Sequence, residues 1–202
     1  MESKQLPVFE LKIEDENQDG VFAVSLVDSP AIMREFILQN SEKQFVKFQA
    51  KKEKRTATGA LLIPNQLIYR IINNQECFVF YSAETIEQIR NNFFKNQFTK
   101  KVTVQHATEN IDGVFLIESW LTTDKPGKEF ELGLTDLPSG SWVGTYYFDF
   151  SAEELFSEFI QSGILKGFSI EGLFALSPTS TVQIKQEDEY SKLLNQLEIL
   201  LK

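Results

Sequence analysis

Histidine and cysteine each occur only once in these 202 residues, as His106 and Cys77. One cysteine cannot form an intrachain disulfide. The two together are too few for a structural zinc site, whose four ligands come mostly from these residue types. No apolar run approaches the length of a membrane span. The start, Met1-Glu2-Ser3-Lys4-Gln5, leads into no apolar segment of the secretory kind. These features predict a soluble, intracellular protein with no membrane partner. Positive charge is also short: 20 Lys and Arg stand against 29 Asp and Glu, a net charge of -9. That balance argues against nucleic acid as a partner, since phosphate binding needs a basic surface. The one local basic patch, in residues 43–55, includes the charge run Lys51-Lys52-Glu53-Lys54-Arg55, which reads as a solvated loop or hairpin tip.

Apolar and aromatic residues are plentiful. Hydrophobic residues make up 42% of the chain and 18 are Phe, enough to build a sizeable core. Short apolar stretches punctuated by turn residues predict strands over 6–13, 21–27, 45–49, 58–64, 67–70, 76–81, 101–106, 114–121, 141–148 and 167–176. Asp19-Gly20, Asn73-Asn74 and Asp112-Gly113 mark turns. Cys77 falls inside one strand and reads as a buried core residue. Ser82 is an N-cap for a helix running to about Lys95, with Glu84 in its first turn. Ser151-Ala152-Glu153-Glu154 has the form of a capping box, and Gly163 ends that helix. Residues 31–39 read as a short helix or arm. A Ser/Thr/Pro linker is expected at 177–181 and an amphipathic helix over 186–202, its leucines offering a handle for a partner. The prediction is an α+β fold on a mixed, barrel-like sheet flanked by two or three helices. Its domain covers 1–176, and 177–202 is an appendage.

Chemistry centres on Gly167-Phe168-Ser169-Ile170-Glu171-Gly172. Alternation puts Ser169 and Glu171 on one face of a strand. The glycines remove side chains where a substrate or a neighbouring strand comes close. The second glycine is one residue too late for a nucleophile elbow, and the helix precedes the serine rather than following it. A serine nucleophile needs a base that titrates near neutrality, and His106 is the one imidazole available. Lys166 could replace it in a Ser–Lys dyad. A third group would orient the imidazole. Glu118 serves if the strands 102–106 and 114–121 form a hairpin, and Glu171 competes from the face of Ser169. For each of these residues an ordinary structural role competes with the catalytic one.

Taken in order, Val24-Ser25-Leu26-Val27-Asp28-Ser29-Pro30-Ala31, Gly59-Ala60-Leu61-Leu62-Ile63-Pro64, His106, Glu118-Ser119-Trp120, Gly140-Ser141-Trp142 and Leu165-Lys166-Gly167-Phe168-Ser169-Ile170-Glu171-Gly172 resemble the serine proteases that mature the proheads of tailed bacteriophages. These are relatives of the herpesvirus protease assemblin. The resemblance covers roughly residues 20–176. It implies a β-barrel flanked by helices, with Ser169 as nucleophile and His106 as base. It also implies scaffold and capsid proteins as substrates, self-processing, no cofactor, and a place in the host cytoplasm inside the assembling prohead. Self-association is left open. Assemblin-like enzymes use a second histidine as third member. This chain has none, so its third residue is acidic (Glu118 or Glu171) or absent. In other phage maturation proteases a segment like Val24 to Ala31 follows the serine strand and is preceded by a glutamate. Here it precedes His106, and Ala23 stands at the acid's place. That order implies a circular permutation, with the N-terminal strand beside the Ser169 strand. A non-catalytic virion or scaffold-binding protein on the same fold is the competing reading, and a general esterase is a third.

Overall fold

A computed structural model describes residues 3–30, 49–51 and 54–185. In chain order the strands and helices are β1 (Ser3–Lys12), β2 (Gly20–Val27), β3 (Gln49–Lys51), β4 (Thr56–Leu62), β5 (Ile68–Ile72), β6 (Gln75–Phe80), α1 (Ala83–Lys95), β7 (Val102–Val104), β8 (Val114–Leu121), α2 (Lys128–Glu131), β9 (Trp142–Phe148), β10 (Gly167–Leu173) and β11 (Ala175–Lys185). The protein is α+β, with most of its described structure in strands. The strands form three open sheets, ordered β11-β1-β6-β5, β10-β2-β7 and β3-β4-β9-β8. Two are mixed, because β1 runs parallel to β6 and β2 parallel to β7. No described pairing closes a barrel.

Local chemistry accounts for several elements. Asn73 and Asn74 both take left-handed backbone, at φ +50° and +61°, as a tight two-residue hairpin between β5 and β6 requires. The Ser82 hydroxyl caps α1 by accepting from Thr85 N. Ile86, Ile89 and Phe93 form its buried face, with Phe93 edge-on to the fully buried Trp142 at 5.4 Å. One main core joins β2, β4, β9 and β10 to this helix, and a satellite of Leu6, Val8 and Phe78 fills the first sheet.

The structure corrects four sequence-based expectations. Residues 177–181 are not a linker. They belong to β11, which pairs antiparallel with β1 from Ser3 to Lys12, so the boundary at 176 cuts a strand. The proposed capping box is displaced: Asp149 accepts from Ser151 N at 2.8 Å and Ser151 Oγ at 2.5 Å, so Ser151 donates instead of capping. In place of one regular helix there is a 3-10 turn, Phe150–Ala152, and then π-helical winding over Leu155–Ile160. The strand expected over 101–106 stops at Val104. Its neighbour is β2, while β8 pairs with β9, so the hairpin assumed between 102–106 and 114–121 does not form. The segments expected at 31–39 and 186–202, and most of that at 45–49, lie outside the described residues.

Candidate active site

The site is built on the small sheet β10-β2-β7. Ser169 of β10 lies directly opposite Ser25 of β2, and Ser25 is in register with Thr103 of β7. Residues paired across a sheet project from the same face, so these three hydroxyls form one row. Glu171, two residues beyond Ser169, shares that face. The Thr103 hydroxyl donates to Glu171 Oε1 at 2.5 Å, across the intervening strand. The strand β2, which carries Val24 to Val27, thus lies beside the serine strand.

The two glycines that bracket Ser169 have separate steric reasons. A Cβ on Gly172 would sit 2.5 Å from the Gly20 carbonyl oxygen of β2, beside a register shift between Glu171 and Gly172. A Cβ on Gly167 would sit 2.9 Å from Pro30 Cγ. Both serve close approach by the protein's own chain.

His106 arrives from the end of β7. Gln105 N makes the last ladder bond, to Leu26 O at 3.0 Å. Gln105 and His106 then take left-handed backbone, at φ +50° and +57°. Each such non-glycine residue costs roughly 1–2 kcal/mol. Consecutive ones are an observed strain of the kind that gathers at functional sites. The turn is tied down on both sides. Ala107 N bonds Val104 O at 2.9 Å, and Asn110 Oδ1 accepts from Val102 N at 2.7 Å. The turn folds the chain back over the Ser169 face, which Thr103 shares and Val102 and Val104 do not. There His106 N donates to Ser25 Oγ at 2.9 Å, and His106 Nδ1 lies 3.4 Å from Glu171 Oε1.

Five residues from three strands and one turn therefore converge: Glu171 beside His106, Thr103 on Glu171, Ser25 on the His106 backbone, and Ser169 opposite Ser25. The imidazole is 48% exposed. Ser169 is 8% exposed, and among the described residues no hydrogen bond joins its side chain to the imidazole. With Nδ1 turned to Glu171, Nε2 is the nitrogen left to exchange a proton.

Glu118 is not brought to this group. It lies on β8 in another sheet, opposite Thr145, and is hydrogen-bonded to Lys128. That ammonium holds its carboxyl below the usual carboxylate range. Sequence reasoning had no register to separate Glu118 from Glu171. It passed over Ser25 and Thr103 as site residues, although each had a signal. Ser25 is the lone hydroxyl within Val24-Ser25-Leu26-Val27, and Thr103 lies between two valines. Ala23 stands where the resemblance leads one to look for an acid, and it is paired directly opposite Glu171. Among the described residues no group of three or more His, Cys, Asp or Glu is placed to hold a metal. No described helix is long and apolar enough to cross a membrane.

A family model described as "Putative phage serine protease XkdF" matches residues 44–176. No curated protein and no solved structure matches the chain. The matched span is about two thirds of the sequence and contains His106, Glu118, Ser169 and Glu171, while Ser25 precedes it. On that match, the chain belongs to the phage serine protease family described by this name.

Proposed function

We propose that the protein is a serine endopeptidase of phage prohead maturation, with Ser169 as nucleophile, His106 as base and Glu171 as the group that orients the base. One observation carries this reading: the imidazole is turned by Nδ1 towards Glu171 on the face that bears Ser169. Ser169 Oγ attacks the peptide carbonyl while its proton passes to His106 Nε2. The imidazolium is stabilised through Nδ1–H by Glu171. Collapse of the tetrahedral intermediate expels the amine, which takes the proton from Nε2. Water then cleaves the acyl-enzyme by the same route in reverse. Backbone amides hold the developing oxyanion. The gap of 3.4 Å between Nδ1 and Glu171 exceeds an ordinary hydrogen bond and tightens when substrate binds, as catalytic contacts of free enzymes commonly do.

The substrates in this reading are scaffold and capsid-protein extensions, and the protease itself, inside the assembling prohead in the host cytoplasm. This reading calls for no direct contact with nucleic acid and no membrane. The barrel implied by the resemblance would close where β10 lies against β4. A non-catalytic virion or scaffold-binding protein on the same fold is the second reading, favoured by the burial of Ser169. Co-expression with the cognate capsid and scaffold proteins separates the two. Processing by the wild type and none by Ser169→Ala is the expected result, and identical processing by both removes Ser169 as nucleophile.

A further inference from the structure

Ser25 has no part in the chemistry above, yet its hydroxyl is fully buried in an apolar strand, directly opposite Ser169. We propose that Ser25 is the positioning residue of the base: its Oγ anchors the backbone amide of His106 and so holds the imidazole over the Ser169 face, within reach of Glu171. This rests on the catalytic reading of Ser169 and His106 and deepens it.

The argument begins with where the ladder ends. Gln105 N takes the Leu26 carbonyl, the last ladder acceptor that β2 offers β7. The next amide, that of His106, has no further ladder carbonyl and instead meets the side chain of Ser25, which is itself fully buried and needs a partner for its hydroxyl. A further backbone carbonyl would keep the chain in the plane of the sheet. A side-chain oxygen rises from one face, and Ser25 Oγ rises from the face shared with Ser169 and Thr103. Accepting the amide there lifts the chain out of the sheet and selects the left-handed backbone of Gln105 and His106. Apart from this bond, the described contact of His106 is the one between its ring and Glu171. Alanine at 25 keeps the shape of the strand and removes the acceptor. The turn then relaxes towards ordinary backbone and takes the ring from Glu171.

Because His106 is the chain's one histidine, its ring signals are unambiguous by NMR. The first measurement compares imidazole C–H cross-peaks in the full chain for wild type, Glu171→Gln, Ser25→Ala and the double variant. Glu171→Gln is expected to displace the peaks in the wild-type background and to leave them nearly unmoved with Ser25→Ala. Equal displacement in both backgrounds, or none in either, overturns the proposal. The second reads the rate at which a fluorophosphonate probe labels Ser169. Ser25→Ala is expected to slow labelling about 100-fold, the scale of misplacing a catalytic group by an ångström. It is expected to cause no further loss in a His106→Ala background. The same loss in both backgrounds means a merely structural role and overturns the proposal. Should Ser25→Ala not fold, Ser25→Cys, with a similar shape and a weaker acceptor, carries both comparisons. A wild type that the probe does not label counts against the catalytic reading alone, since the ring comparison still decides the role of Ser25.

Discussion

Glu118 and Glu171 carry the same carboxylate, and their neighbours give them different work. Lys128 occupies Glu118, whose side chain is exposed on a strand of one sheet. Thr103 and the imidazole occupy Glu171 on another. Removing the charge tests the distinction. Glu171→Gln is expected to lower the rate of Ser169 labelling or of substrate cleavage about 100-fold or more, since the orienting acid of a Ser-His-acid triad is worth up to about 10⁴. Glu118→Gln should leave that rate within a factor of about two, because an exposed ion pair contributes at most about 1 kcal/mol to stability and touches nothing in the site. Comparable losses in the two variants would remove Glu171 from the orienting role. The Thr103 hydroxyl fixes one oxygen of the Glu171 carboxylate.

At the scale of elements, the segment between β9 and β10 shows how a capping group makes a helical turn respond to pH. Asp149 accepts from both the amide and the hydroxyl of Ser151, and these bonds hold its carboxyl below the usual carboxylate range. A folded pKa below the unfolded one adds stability that is complete above the unfolded value. That stability is lost as pH falls through the folded value. Melting temperature measured from neutral pH down into the acid range should therefore fall for wild type, and fall less steeply for Asp149→Asn. Parallel curves for the two proteins would show that Asp149 does not contribute. Neighbouring contacts give the cap its importance: the Arg55 guanidinium donates to the carbonyls of Phe148 and Asp149 and lies over the rings of Phe150 and Phe156. This joins the capped turn to the start of β4, the strand that lies against β10.

The whole molecule is larger than the region shared with the family. The match spans residues 44–176, yet β2, which bridges the serine and histidine strands, precedes it and most of β11 follows it. β11 pairs with β1 along ten residue positions, whereas β6 meets β1 at only three. A chain ending at Leu176 therefore loses most of the bonding of β1. It is expected to melt lower than one ending at Lys185, by about 2–4 °C for each kcal/mol lost in a domain of this size. Equal melting temperatures would show that the pairing of β11 with β1 is dispensable.

Much of this protein can be read directly from the sequence, because the signals are local. The cap at Ser82, the Asn73-Asn74 hairpin and the strands at 21–27 and 114–121 depend on residues a few positions apart. The pairing of Ser169 with His106 as candidates required only that serine catalysis needs a base and that one imidazole exists. Long-range register was not legible. Whether Glu118 or Glu171 meets His106 depends on which strand β7 pairs with, and the apolar alternation of 102–106 fits either neighbour. Residues 177–181 read as a linker because their Ser, Thr and Pro residues gain their place in a strand only from β1, more than 160 positions away. Sequence alone therefore determined which groups could do the chemistry. The tertiary structure decided which of them meet, because antiparallel and parallel pairing to a shared strand aligned Ser169, Ser25 and Thr103 in one row and a left-handed turn folded His106 back over it.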